Sequence, residues 1–281
     1  MTGVYEIPQE LRDLRDTIRQ IVTDRVAPRA AEIDSTGEYP WDIRELFSEH
    51  DLMGLPFDSE YGGMGTGTLM LNVAVEEVAR ACASSSLILM VQDLGTLPIA
   101  RFGSPAQRDH WLPRCASGEW SPAFALSEPD SGSDAGSMRT TAVRDGGDWV
   151  INGTKNWITN ATVADFYVIF AVTDREARRA SAFIVEADRP GFSVPKLEHK
   201  MGIRGSPTGQ LLFEDVRVPQ ENMIGDEGRG MAVALGTLER TRLGAAAQAV
   251  GIAQGAIDYA AQYARERIAF GKPIKIGRAH V

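Results

Sequence analysis

Two polar loops carry the side chains that could do chemistry. The octet Ser127-Glu-Pro-Asp-Ser-Gly-Ser-Asp134 concentrates hydroxyl and carboxylate groups around a proline and a glycine. Proline lacks a hydrogen-bond donor, whereas glycine and serine leave backbone N–H groups accessible, so such a loop can bind an anion or an electron-rich heterocycle. The segment Lys155-Asn-Trp-Ile-Thr159 adds an aromatic ring and a hydroxyl. For the octet alone, an ordinary polar turn is an equally good interpretation.

Short strands are predicted to bring these two loops together. Asn152-Gly153 lies between the apolar runs Trp149–Ile151 and Trp157-Ile158. Both of its residues tolerate positive φ, which predicts a two-residue hairpin. Gly146-Gly147 predicts a similar reversal just before it.

The chain divides into three parts by the spacing of its apolar residues. Residues 1–118 show helical spacing, and residues 119–227 hold short apolar runs broken by Gly, Asn and Pro. Helical spacing returns in residues 228–274. Small residues recur there at positions that would let a neighbouring helix approach closely: Gly244, Ala247, Gly251 and Gly255. The predicted fold is a multidomain α+β protein with an N-terminal all-α domain, a central antiparallel β-barrel or sandwich, and the start of an incomplete C-terminal helical bundle.

Composition narrows the class of protein. A chain of 281 residues with 43% hydrophobic and 24% charged residues is typical of a soluble globular protein. The net charge of −9 argues against a nucleic-acid or membrane-surface partner. Cys82 and Cys115 have no close pairing, which suggests a reducing compartment. With no signal peptide and no apolar run near the ~20 residues that span a bilayer, we expect a cytoplasmic protein. The histidines lack metal-ligand spacing, so no metal site is predicted: His50, His110, His199 and His280.

The two loops and three later segments resemble the acyl-CoA dehydrogenase family, in family order. The octet followed by Asn152-Gly-x-Lys-x-Trp-Ile-Thr159 is similar to the flavin-binding signature of that family. The match continues at Met201–Arg204, Phe213–Val216 and Glu266–Gly271. Together these segments cover nearly all of the chain. Asp130 departs from the family, which often has Gly there, but Asp adopts left-handed backbone readily.

The resemblance implies an FAD-dependent acyl-CoA dehydrogenase. Such an enzyme removes the α proton and the β hydride of a saturated acyl-CoA thioester and forms a trans-2-enoyl-CoA. Because no amino-acid side chain accepts a hydride, a cofactor must carry it, and flavin N5 is suited to this. The resemblance also implies an electron-transferring flavoprotein as electron acceptor, in a β-oxidation-type pathway.

The resemblance further implies which residues form the site. Those implied to bind FAD are Phe124, Ala125, Leu126, Ser127, Ser133, Trp157, Ile158, Thr159, Arg267 and Phe270. Those implied to bind acyl-CoA are Ser133, Glu239 and Arg242. Arg267 and Phe270 would contact the FAD of an adjacent subunit, which implies a homo-oligomer, either a dimer or a tetramer. Trp157 has a second, less favoured interpretation as a core aromatic. Without the resemblance, Glu239 and Arg242 are better interpreted as solvated helix charges.

The catalytic base has no counterpart in the matching segments. Most of the family carries it as a Glu beyond the position of Ile274, and a minority carries it where this chain has Thr241. Glu239 would lie about 200° round the helix from Thr241 and is a poor substitute. The chain is therefore predicted to lack its base. Residues 275–281 break the amphipathic pattern, and one back-translation of them contains the start of a common sequencing adapter, which predicts a non-native tail.

Two alternatives stay open. An acyl-CoA oxidase or a flavin monooxygenase would share the fold but use oxygen, and peroxide formation on reoxidation would reveal it. A noncatalytic flavin- or acyl-CoA-binding fragment would bind its ligand without turnover. The length and branching of the acyl chain also stay open, because the depth of the pocket depends on how the helices pack.

Overall fold

The computed structural model describes residues 7–275, and the first part of the chain is helical. Its helices are α1 (Gln9–Ile21), α2 (Ala30–Thr36), α3 (Trp41–Glu49), α4 (Gly67–Ala81), α5 (Ala83–Phe102) and α6 (Pro105–Ala116). α1 runs into α2 through a π-helical turn at Val22–Val26 and a 3-10 turn at Ala27–Arg29. This confirms the predicted all-α N-terminal part.

Helix α5 is the buried centre of this part. It has 20 residues and a stretch of mean hydropathy 1.2, so by length and composition alone it is able to cross a membrane. This corrects the expectation that no apolar run approaches that length. However, 72% of the stretch is buried inside the protein, and the helix packs against α4, α6, α7 and β1. α5 is therefore placed as a core helix.

A sheet of eight strands forms the central part. The strands are β1 (Pro122–Ala125), β2 (Thr141–Asp145), β3 (Asp148–Thr159), β4 (Phe166–Asp174), β5 (Arg179–Glu186), β6 (Phe192–Leu197), β7 (Thr208–Pro219) and β8 (Met223–Ile224). The order is β6-β7-β3-β2-β4-β5-β8, with β1 beside β4. Most pairs are antiparallel, as predicted, but β1 pairs parallel with β4 over four residues and β2 meets it parallel at one.

Strand β4 is buried on both faces, so it connects the sheet to the helices. Phe166, Val168 and Phe170 pack in one cluster with residues of α5, α6 and α7. The alternate residues Tyr167 and Ile169 pack in a second cluster with β3 and β7. Because side chains alternate along a strand, one solid apolar run supplies both cores.

The hairpin predicted at Asn152-Gly153 is wrong. β3 continues through these residues and pairs with β7 on both sides of them, with a register shift between Ile151 and Gly153. The reversal predicted at Gly146-Gly147 is confirmed: it joins β2 and β3, and Gly146 has φ +64°. Gly153 is required by close approach, because a Cβ there would lie 2.5 Å from Thr140 Oγ1. The glycine therefore marks a β-bulge rather than a turn.

A single long helix follows the sheet and packs across α4 and α5. It is α7 (Gly230–Glu266), and the short strands β9 (Ile268–Ala269) and β10 (Lys272–Pro273) form a hairpin after it. The small residues permit the close approach that was predicted. A Cβ on Gly251 would collide with Glu76 O on α4, and one on Gly255 with Arg80 O. Residues 276–281, most of the predicted non-native tail, lie outside the described residues.

We expect Gly251→Val to destabilise the protein through the α4–α7 contact. The added methyls meet backbone atoms that cannot move aside, and overpacking of this kind costs about 1–3 kcal/mol. Urea unfolding measures the change in the free energy of unfolding. Ala253→Val is the matched control, because Ala253 is exposed on the same helix. Equal losses in the two variants would contradict the close packing.

Candidate functional site

A buried ion pair joins the two polar loops. Lys155 Nζ on β3 lies 2.8 Å from Glu128 Oε1, and their side chains are 0% and 5% exposed. Lys155 Nζ also donates a hydrogen bond to Leu126 O at 3.1 Å, and Asn156 N donates to Ser127 O at 2.9 Å. These bonds hold the chain leaving β1 against the end of β3, which brings the two predicted binding segments together.

The Glu128 carboxylate accepts hydrogen bonds from three donors. Besides Lys155, it accepts hydrogen bonds from Arg139 N at 2.5 Å and Thr140 N at 3.1 Å. Burial raises the pKa of Glu128, but the charge of Lys155 and these hydrogen bonds outweigh it and hold the pKa below its ordinary value. Burial lowers the pKa of Lys155 to about 8, against the opposing charge of Glu128. Both groups are therefore predominantly charged at neutral pH.

A second bulge in β3 displays Trp157 at the surface. The register with β7 shifts between Lys155 and Ile158, and Trp157 has φ +60°. Positive φ is rare for a bulky residue, and a bulge of this kind re-aims a side chain. Trp157 is 55% exposed, whereas Ile158 beside it is 3% exposed. The interpretation of Trp157 as a core aromatic is therefore wrong, and its indole offers a flat surface for stacking.

Three predicted site hydroxyls on the two polar loops have no hydrogen-bond partner among the described residues. Among the described residues, the side chains of Ser127, Ser133 and Thr159 make no hydrogen bond with protein. Ser127 and Thr159 are half-buried, and Ser133 is exposed. Unpartnered hydroxyls beside an exposed aromatic ring suit a flat heterocycle with hydrogen-bonding atoms on its edge. The residues present thus fit the flavin that was predicted.

Other predicted flavin-binding residues point their side chains into the core. Ala125 and Ile158 are buried in the cluster between β3, β4 and β7, and Leu126 is buried beside the helices. The ring of Phe124 packs against that of Phe170, with centroids 5.1 Å apart. These four residues can offer a ligand mainly their backbone groups, so their assignment stays a prediction.

A cavity of about 90 Å³ lies between α4, α5 and α7, with Thr159 of β3 in its wall. Thr241 of α7 also lines it, so the structure brings Thr159 and Thr241 to one cavity. The surface of the wall is mainly apolar and comes from Leu71, Val75, Leu87, Met90, Val91 and Leu94. Besides Thr159 and Thr241, four polar residues interrupt it: Thr68, Asn72, Asp93 and Arg240.

The two predicted acyl-CoA residues of α7 stand outside this cavity. Glu239 and Arg242 are exposed, and Arg242 Nε donates to Leu238 O of its own helix at 3.0 Å. Because successive helical side chains are about 100° apart, Arg240 between them faces the cavity instead. Glu239 and Arg242 remain predictions for the ligand's exposed part.

Arg267 and Phe270 lie far from this site. Thr241 and Glu266, at the end of α7, are 25 residues apart, which is about 37 Å at the rise of an α-helix. Phe270 is fully exposed in the turn between β9 and β10. One chain therefore does not bring these residues to Trp157, as expected if they serve an adjacent subunit.

An arginine-rich cavity lies next to the end of the octet loop. It has a volume of about 230 Å³, and Arg139, Arg175 and Arg178 line it together with Gly136 and Met231. Gly136 follows Ser133 by three residues, so the cavity begins where the octet loop ends. Its charge suits an anionic group.

Sequence reasoning missed six of these residues, and two had a readable signal. Counting in twos along β3 from Trp149 and Ile151 puts Lys155 on the inward face, where a charge needs a partner. Asp93 is the only charged residue between Ala83 and Ala100. The other four had no comparable signal, because arginines are common on protein surfaces: Arg139, Arg175, Arg178 and Arg240.

The fold and the site together define a flavin-binding protein with a separate cavity for an apolar chain. Family models of the acyl-CoA dehydrogenase N-terminal, middle and C-terminal domains match residues 8–119, 123–216 and 228–276. An acyl-CoA dehydrogenase of Bacillus subtilis is 42% identical over 271 residues, which cover 95% of this chain and 72% of that protein. The chain belongs to the acyl-CoA dehydrogenase family.

Solved structures agree with this assignment. Butyryl-CoA dehydrogenase from Megasphaera elsdenii superposes with a TM-score of 0.94 at 37% identity, covering 99% of this chain and 74% of that one. A chain from the structure of the electron transferring flavoprotein of Acidaminococcus fermentans gives 0.95 at 38% identity, covering 99% and 74%. A glutaryl-CoA dehydrogenase of Mycobacterium smegmatis in complex with FADH2 gives 0.90 at 32%, covering 98% and 70%. The protein is an FAD-dependent oxidoreductase acting on the CH–CH group of acyl-CoA.

We expect Glu128→Gln to destabilise the protein by about 3–5 kcal/mol, because it leaves the Lys155 charge buried without a partner. Urea unfolding measures this loss, and FAD content should fall with it, since the pair holds the octet loop. Glu198→Gln is the control, because it breaks the exposed Lys196–Glu198 pair, worth about 1 kcal/mol or less. Equal effects of the two substitutions would show that the buried pair does not anchor the loop.

Proposed function

We propose that the protein dehydrogenates short acyl-CoA thioesters. The observation that carries this is the size of the cavity beside Thr159, about 90 Å³. An apolar cavity of about 150 Å³ holds benzene, so this one has room for an acyl chain of only a few carbons. The likeness to butyryl-CoA dehydrogenase, a dehydrogenase of a four-carbon acyl group, supports the same chain length.

Different residues would bind the flavin and the acyl chain. Bound FAD supplies the two-electron acceptor for the β hydride. Ser127 and Thr159 would hydrogen-bond the edge of the flavin ring, and Trp157 would pack against it. The cavity walls hold the acyl chain and exclude water, which strengthens every electrostatic interaction at the thioester. Thr241 carries no carboxylate, so the base predicted beyond Ile274 stays a prediction.

The arginine-lined cavity would receive the phosphates of the CoA moiety. Arg139, Arg175 and Arg178 surround it, and Met231 at the start of α7 completes its wall. Arginine binds phosphate through a planar fork of donors, which makes it the side chain best suited to this part of the ligand. The protein carries a net charge of −9, so a local cluster of arginines is what a polyanionic ligand requires.

A second copy of the chain and an electron-transferring flavoprotein complete the proposal. α7 exposes an apolar face that includes Leu243, Val250 and Ile257, and it leads to the exposed Arg267 and Phe270. Burying this face against another subunit would carry Arg267 to the flavin of the neighbour. The likeness to the chain from Acidaminococcus fermentans supports an electron-transferring flavoprotein as acceptor, in a β-oxidation-type pathway.

We expect butyryl-CoA to be a better substrate than octanoyl-CoA for the FAD-loaded, full-length gene product. Each methylene that the cavity cannot hold lowers kcat/KM by about tenfold or more. Dye reduction gives the two values, and peroxide release on reoxidation distinguishes an oxidase. A preference for octanoyl-CoA would contradict the short-chain assignment.

We expect Arg175→Ala/Arg178→Ala to raise KM for butyryl-CoA by about three- to tenfold, because exposed charge pairs contribute little individually. KM for butyryl-pantetheine, which lacks the nucleotide phosphates, should stay unchanged. Arg25→Ala is the control for loss of an exposed arginine elsewhere. An equal rise for both thioesters would remove this cavity from the CoA site.

A further inference from the structure

The cavity beside Thr159 is the proposed acyl cavity, and two side chains separate it from a second cavity. The second cavity has a volume of about 170 Å³ and lies between the loop of residues 56–61, the later half of α5, and α6. Asp93 of α5 and Arg240 of α7 line both cavities. They are the two lining residues that the cavities share, so these side chains form the partition between them.

The partition is polar and its hydrogen bonds are incomplete. Asp93 is 5% exposed, and among the described residues its carboxylate accepts no hydrogen bond. Burial raises the pKa of Asp93 to about 6, and the charge of Arg240 opposes that rise. Arg240 Nε is buried and has no partner among the described residues. The Asp93 carboxylate and the Arg240 Nε thus lie at the border of the two cavities without hydrogen bonds from the described residues.

We propose that Asp93 and Arg240 set the length of acyl chain that the enzyme accepts, which rests on the proposed acyl-CoA dehydrogenase function. A methylene group pushed against this pair would take the place of water around two charges whose bonds are already incomplete. Removing solvation from a buried charge without replacing it is costly. The partition therefore stops an apolar chain at the end of the first cavity.

The space behind the partition has a mixed wall. Its apolar side chains are Phe57, Leu97, Ala100 and Leu112, and the charged side chains of Asp58, Glu60, Arg101 and Arg108 line it beside them. With small neutral residues in the partition, the two cavities would become one channel leading away from Thr159. The chain-length limit then lies in two side chains rather than in the backbone of the helices.

The decisive experiment removes both charges together, because removing one would leave the other buried and alone. In the FAD-loaded, full-length gene product, Asp93→Ala/Arg240→Ala should raise the ratio of kcat/KM for octanoyl-CoA over butyryl-CoA by about tenfold or more. Arg108→Ala is the matched control, because Arg108 lines only the second cavity. It should leave the ratio unchanged.

The outcomes separate this inference from the function on which it rests. If the wild-type enzyme does not turn over butyryl-CoA, the short-chain function fails. If it does, and the double variant binds FAD but keeps the wild-type ratio, the partition does not set chain length. Should the alanine pair not fold, Asp93→Asn/Arg240→Met removes both charges with less loss of volume. For this variant, calorimetry should show that the affinity for octanoyl-CoA rises relative to the affinity for butyryl-CoA. If the relative affinity does not rise, the proposal is overturned.

Discussion

The buried Lys155–Glu128 pair is the interaction on which the site depends. It ties strand β3 to the octet loop, and it does so with no exposure of Lys155 to water. A buried pair of this kind adds little net stability compared with apolar residues, but losing one partner is severe. The main effect of the pair is therefore to fix the position of the loop. The Lys155 ammonium fixes Leu126 O as well as Glu128, so the loop carrying Ser127 has one position relative to β3.

Local distortion of β3 does the rest of the positioning. A regular strand would place Lys155, Trp157 and Thr159 all on one face of the sheet. The register shift after Lys155 and the positive φ of Trp157 break that alternation, so Lys155 is buried while Trp157 is exposed. Such backbone strain persists where the surrounding structure enforces it. Here the enforcing contacts are the ion pair on one side and buried Ile158 on the other.

The ligand is met by different parts of the chain. In the proposed function, the sheet and its loops would present hydroxyls and an indole to the flavin, the helices α4, α5 and α7 would enclose the acyl chain, and arginines near the octet loop would face the CoA phosphates. Thr159 is where the first two meet, because it ends β3 and lines the helical cavity. β4 makes this arrangement rigid, since its two faces are buried in two different cores.

The sequence by itself determined the family, the three-part fold and the loops that carry the site, because these depend on local spacing and on motifs of adjacent residues. The tertiary structure decided what depends on contacts between distant segments. Asn152-Gly153 had the residues of a hairpin, but pairing of β3 with β7 on both sides made it a bulge. Arg240 rather than Arg242 lines the cavity beside Thr159, and Asp93 lines it from another helix. Which face of a helix becomes a cavity wall is set by how three helices pack, and no local pattern in one helix contains that information.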